Sequence, residues 1–198
     1  MPCLRSATRG EWGGLDIARF GTDDSALVEG VGNAVERVTI VHGHDTMAVA
    51  GMGANFLKER RGTLAIDDGG VGGGVVDRLR EQRLPGSIVA VNAGESPDND
   101  PEDRLSNMRA QLWWGARLAL QAGEVSLARM DDAAYQRLRS ELTAPTYKFT
   151  SSGKVQIESK DDLKKRGMPS PDLADAFNLA LHARARAKRR HASFGAVA

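Results

Sequence analysis

Cysteine is almost missing from this 198-residue chain, which has only Cys3. A single thiol excludes an internal disulfide framework and a four-cysteine zinc site, and it fits a reducing compartment. Long apolar runs are missing as well. No stretch approaches the roughly 20 residues a membrane-spanning helix needs, and the N-terminus lacks the apolar centre of a secretory signal. Nor does one sign of charge dominate. Twenty-seven Lys and Arg against 26 Asp and Glu leave a formal net charge of +1, so any nucleic-acid surface must be local. Two nucleotide signatures fail. From Gly70 and Gly72 the third glycine of a dinucleotide loop would fall on Val75, and Gly153-Lys154 is followed by Val155 rather than Ser or Thr. The composition, 41% hydrophobic and 27% charged, is that of a globular domain. The expectation is one generous domain, soluble and intracellular.

What is present centres on TLAIDDGGVGGGVVDRL, from Thr63 to Leu79. A short apolar run ends in Asp67 and Asp68, then come five glycines broken by Val71, then an amphipathic helix. A buried strand delivering carboxylates at its carboxyl end puts charge where α/β proteins place their chemistry. Such groups are costly to bury unless a cation or hydrogen-bond donors meet them.

Around that stretch, residues 1–12 read as a leader or linker remnant, 13–190 as the domain and 191–198 as a flexible tail. Residues 14–20, 26–31 and 37–42 read as an antiparallel meander, with a turn over 21–25. A helix follows over 46–61, capped by Thr46 and stopped at Gly62. A strand over 63–67, a helix over 75–82 and a strand over 87–92 make a βαβ unit with parallel pairing. After a polar loop over 94–103, helices are expected over 104–122 and 131–142. Trp113 and Trp114 are read as core. Residues 147–158 alternate around Ser-Ser-Gly and read as a hairpin, followed by a short helix over 159–166. Ser170-Pro171 caps a last helix with an apolar stripe at Leu173, Ala176, Phe177, Ala180 and Leu181. The basic run from Arg184 to Arg190 reads by default as a solvated helix end.

Three acidic spots stand against apolar neighbours: Asp16, Asp67 with Asp68, and Asp172 with Asp175. Singly, each has a bland reading. Asp16 could be a partnered strand aspartate, Asp67 and Asp68 could open a turn, and Asp172 suits the dipole of its helix. Together, converging carboxylates call for a cation, and oxygen ligands suit Mg²⁺ or Mn²⁺. Two such ions can activate water and stabilise the leaving oxygen of a phosphodiester. His42-Gly43-His44-Asp45 is read instead as a solvated loop.

The strings GLDIARFGTDDSALV, AIDDGGVGGGVVDRL and SKDDLKKRGMPSPDLADAFNLAL resemble, in that order, the nuclease domain of the large terminase subunit of tailed bacteriophages. The resemblance runs from about Gly13 to Leu181 and rests on Asp-Asp-Gly-Gly-x-Gly and Ser-Pro-Asp-x-Ala-Asp-Ala. It implies an α/β, ribonuclease H-like fold: a mixed five-stranded sheet, antiparallel meander then parallel strands, flanked by helices, with an extra β-hairpin. It further implies a two-metal Mg²⁺ or Mn²⁺ endonuclease that cuts concatemeric viral DNA during packaging. Asp16, Asp67 and Asp175 match the family's catalytic aspartates, with Asp68 and Asp172 as accessory ligands or supports. Lys148, Lys154 and Lys160 stand where family members touch the DNA backbone. The implied partners are double-stranded DNA, an ATPase motor domain, a small terminase subunit and a portal, in the cytoplasm of an infected or lysogenic bacterial host. No motor is legible here, so the chain reads as the nuclease half alone. An actin-like or sugar-kinase phosphotransferase, and a non-catalytic DNA-binding packaging module, are the alternatives.

Overall fold

In the computed structural model, residues 10–18 and 23–195 are described, with side chains as far as residue 188. Strand β1 (Glu11–Asp16) is central. On one side it pairs antiparallel with β2 (Asp24–Val31), which pairs antiparallel with β3 (Ala34–His42). On the other it pairs parallel with β4 (Thr63–Asp67), and β4 pairs parallel with β5 (Ser87–Val91). The order β3-β2-β1-β4-β5 is the mixed five-stranded sheet expected, meander first and parallel strands second. Helix α2 (Gly72–Glu81) makes the crossover that parallel pairing of β4 and β5 requires.

Because side chains alternate along a strand, the sheet has two buried faces. Leu15, Leu64 and Ile66 pack with Phe56 and Leu57 of α1 (Thr46–Arg60) and with Val75, Val76 and Leu79 of α2. Trp12, Val28 and Ala65 pack on the other face. There they meet α6 (Asp172–Gly195), α3 (Met108–Gln121) and α4 (Asp132–Thr143). Helix α6 lies along β1, with Phe177 completely buried, a burial that contributes about 1.5–3 kcal/mol. The same alternation continues from Trp12 through Gly14 to Asp16, and from Ala65 to Asp67. Both carboxylates therefore end on the α6 face, one step beyond the Leu15–Ile66 pair. A separate two-stranded sheet, β6 (Tyr147–Phe149) with β7 (Val155–Ile157), is the expected hairpin and leads into α5 (Lys160–Lys165).

Boundaries moved where long-range contacts decide them. β1 occupies 11–16 rather than 14–20, because Trp12 fills the space left by the missing side chain of Gly30 and its indole N–H donates to Gly32 O at 3.2 Å. Glu11 and Trp12 thus belong to the sheet rather than to the leader expected over 1–12; residues 1–9 of that leader, Cys3 among them, 19–20 of the expected first strand and 21–22 of the turn after it lie outside the described residues. Helix α1 is capped by Asp45, not Thr46: the Asp45 carboxylate accepts from Ala48 N at 2.7 Å. Helix α3 starts at Met108 instead of 104, since Asp100 takes the N–H groups of Arg104 and Leu105 and Asn107 caps the helix. Helix α6 continues to Gly195, into the segment expected as a flexible tail; 196–198 and the side chain of His191 lie outside the described residues. Among the described residues no helix is long and apolar enough to cross a membrane.

Candidate active site

Asp16 at the end of β1 and Asp67 at the end of β4 project toward the N-terminal turn of α6, which carries Asp172 and Asp175. Local chemistry sets each one. Asp67 Oδ1 accepts from Gly69 N at 2.9 Å. The chain can then double back into α2 because Gly70 takes a positive φ of 58° and Gly72 lies against Asp67 O, where a Cβ would stand 1.8 Å away. Asp172 is held by the backbone N–H of Asp24 at 2.9 Å and by the Ser170 hydroxyl. Asp175 Oδ1 accepts from Trp113 Nε1 at 3.0 Å and Arg109 Nη1 at 3.1 Å.

Lys160, the first residue of α5, ends in the middle of this cluster. Its Nζ is 3.0 Å from Asp175 Oδ2, 3.5 Å from Asp172 Oδ1 and 3.7 Å from Asp16 Oδ2. Lys160 is expected with Lys148 and Lys154 at a DNA backbone, but its ammonium lies here between the carboxylates of β1 and α6. Burial alone would favour a neutral amine, but Asp16, Asp175 and Asp172 outweigh it and hold the ammonium more firmly than in water. This ammonium and the Arg109 guanidinium bound to Asp175 are still fewer than the carboxylates Asp16, Asp67, Asp172 and Asp175. Asp16 is 3% exposed, and burial pushes its carboxyl well above the usual range; Lys160 opposes the rise, while Asp175, Asp172 and Asp67 reinforce it. Asp67 rises too, through burial first, against the pull of Gly69 N–H and Lys160. The cluster is short of positive charge.

That shortage is the test of fit for a divalent cation. The donor set is all oxygen, it is sheltered, and it already gathers round a cationic group standing in for an ion. A cavity of about 50 Å³ opens among Asp16, Asp67, Arg109, Lys160 and Asp175, enough for a small ion and some water. Among the described residues no three His, Cys, Asp or Glu side chains are already arranged to hold an ion. With the ammonium between them, the carboxylates are spaced for Lys160.

The remaining expected residues divide. Asp68 is directed toward the start of α2, its Oδ1 near Gly73, and its charge helps to raise Asp67. Lys148 is exposed on β6, and Lys154 pairs with Asp103. His42 pairs with Asp24, and His44 Nδ1 bonds His42 O, so the exposed histidine loop is built as a loop. Three contributors went unread. Arg109 and Trp113, one turn apart on α3, hold Asp175; Trp113, expected as core, is both core and hydrogen-bond donor. Glu141 on α4, 7% exposed, accepts from Ala174 N at 2.9 Å and from Arg137 Nε at 2.7 Å, anchoring the turn that presents Asp172 and Asp175. Only the i, i+4 spacing of Arg109 and Trp113 hints at such a role, and a core stripe beside it masks the hint.

No protein-family model and no curated protein matches the sequence. Solved structures do. A lysine-to-alanine variant of the nuclease domain of the large terminase subunit gp2 of bacterial virus Sf6, with manganese and β-thujaplicinol, superposes with a TM-score of 0.77. It is 23% identical, over 89% of this chain and 90% of that one. The same Sf6 domain without that substitution gives 0.74 at 22% identity, over 87% and 88%. The large terminase nuclease of thermophilic phage G20c with bound magnesium gives 0.61 at 18%, over 87% and 80%. The fold is that of the terminase nuclease domains. Within this fold, the carboxylate cluster lies at the carboxyl ends of the two central parallel strands, with α6 packed along β1.

Proposed function

We propose that the chain is a metal-dependent endonuclease that cuts concatemeric viral double-stranded DNA by two-metal phosphodiester hydrolysis. What carries the reading is the buried, charge-deficient cluster of Asp16, Asp67, Asp172 and Asp175, on a fold shared with metal-bound terminase nucleases. Asp16, Asp67 and Asp175 hold Mg²⁺ or Mn²⁺; Asp172 supports them and Asp68 tunes their charge. When bound, the ions supply activation of water and neutralisation of charge on the leaving oxygen. The protein supplies position. Arg109 Nη2 is buried without a hydrogen-bond partner among the described residues and offers a donor to a phosphoryl oxygen, while Nη1 keeps Asp175 in place. Lys148 and Lys154 on the hairpin meet the DNA backbone without reading sequence. Lys160, once displaced from the carboxylates, joins them. An ATPase motor, a small terminase subunit and a portal complete the assembly, in the cytoplasm of the bacterial host.

Removing metal tests this directly. Wild-type protein is expected to nick and linearise supercoiled plasmid in Mg²⁺ or Mn²⁺ and to do neither in chelator. Cleavage that survives chelation would overturn the reading. A second measurement concerns the ammonium. If Lys160 occupies space that an ion needs, Lys160→Ala binds Mn²⁺ at least about tenfold more tightly by titration calorimetry, roughly 1.4 kcal/mol. Unchanged or weaker affinity would mean that Lys160 assists binding instead.

A further inference from the structure

Four side chains beside the cluster make a ladder that the chemistry above does not use. On β6, Tyr147 and Phe149 are two residues apart and so share a face, with Lys148 between them on the other. The Tyr147 and Phe149 rings meet edge to face, 6.0 Å between centroids, and Tyr147 meets Trp114 of α3 in the same way at 5.3 Å. The Arg117 guanidinium lies 4.7 Å from the Trp114 centroid and 5.7 Å from that of Tyr147. Arg117 has no carboxylate partner among the described residues. Phe149 remains 65% exposed and Tyr147 45%, which is unusual for rings that could have turned inward.

We propose that Trp114, Arg117, Tyr147 and Phe149 form a stacking platform for unpaired bases of single-stranded DNA next to the point of cleavage. Aromatic faces that stand proud of a surface can stack only on bases already out of a duplex, and they do so whatever the base. A guanidinium laid on the same rings suits the phosphates that accompany those bases. The position fits. From Ile157, paired with Tyr147, three residues of extended chain, about 10 Å, lead to Lys160 in the carboxylate cluster. Arg109 ties the two regions, donating from Nε to Glu158 O at 3.4 Å while Nη1 holds Asp175. The inference rests on the nuclease reading, since that reading puts DNA at the cluster.

The test is fluorescence anisotropy in chelator, with a labelled oligothymidine and a labelled duplex of equal length. Phe149 is largely exposed, so Phe149→Ala should fold as wild type. It is expected to weaken single-strand binding at least about fivefold, the low end for loss of one stacked base, and to change duplex binding less than about twofold. Phe149→Trp should restore it. Equal losses on both ligands would make the hairpin a backbone contact, and no loss on either would remove DNA from the patch; each overturns the proposal. So would self-association, measured by light scattering, that Phe149→Ala abolishes without affecting DNA binding. Plasmid nicking separates the two readings. A wild type that nicks while its single-strand binding ignores Phe149 loses the platform and keeps the nuclease; one that neither nicks nor binds DNA loses both.

Discussion

Asp16→Asn is expected to lower metal-dependent plasmid nicking by about 10³-fold or more, the several kcal/mol of charge stabilisation that depends on a correctly held metal. Asparagine keeps the shape and the burial but removes the anionic oxygens at the end of β1. The folded state should tolerate the change. Asp16 is buried, and its carboxyl is pushed up by that burial and by its acidic neighbours, so neutralising it relieves repulsion while giving up the 3.7 Å contact with Lys160. The melting temperature is therefore expected to stay within a few degrees of wild type. Two neighbours serve as contrasts. Asp68→Asn, whose side chain is directed toward Gly73, should cost less than about tenfold in rate, far below an ion-holding carboxylate. Asp172→Asn should register mainly in stability, because Asp172 takes the Asp24 N–H and the Ser170 hydroxyl. Nicking by Asp16→Asn at the wild-type rate would remove Asp16 from the chemistry and with it the proposed ligand set.

How legible this was from sequence differs residue by residue. The apolar run before the glycines makes Asp67 legible as a strand-end carboxylate, whereas Asp16 is expected in the middle of a strand over 14–20 and instead ends β1; Ser170-Pro171 marks the turn that brings Asp172 and Asp175. The legible ones rest on local signals: an apolar run, a tight turn, a cap. Contacts between distant segments carry no such signal. Lys160 looks in sequence like one basic residue after a basic hairpin. Only the path of β7 into α5 turns its side chain inward, where the carboxylates give the ammonium more than water does. Arg109 lies beside an apolar stripe, and nothing in its neighbours announces that α3 crosses above Asp175. The start of β1 depended on Trp12 finding Gly30, eighteen positions on, a fit of shape that no propensity encodes. The exposed rings of Tyr147 and Phe149 were read as ordinary strand residues, since alternation says which residues share a face but not whether anything covers it.

Another of these long-range fits, equally close but against helix backbone, is at Gly14, and its substitution should have the largest effect on stability. A Cβ built on Gly14 would stand 2.2 Å from both Ala176 O and Ala180 N, so the backbone of α6 rests directly on β1. Gly14 has no positive φ, and alanine could adopt its backbone without strain. The gain from a stiffer unfolded chain, about 0.4–1 kcal/mol, would by itself favour alanine. Sterics decide otherwise. The obstacle is helix backbone, which cannot rotate aside as a side-chain tip can, so the whole of α6 must lift off the sheet. Overpacking of this kind belongs at or beyond the top of the usual range, about 3 kcal/mol, which in a domain this size lowers the melting temperature by roughly 6–12 °C. Gly13→Ala is the control from the opposite face: the atoms nearest its Cβ would be Leu64 Cδ1 at 3.0 Å and the ring edge of Phe56 at 3.1 Å, side-chain tips rather than backbone, and it should cost under half as much. Lifting α6 also carries Asp175 and Asp172 away from Asp16, so Gly14→Ala protein that still folds at low temperature should lose Mn²⁺ affinity, while Gly13→Ala should not. Equal melting temperatures for the two variants would mean that α6 does not seat on β1 as closely as Gly14 indicates.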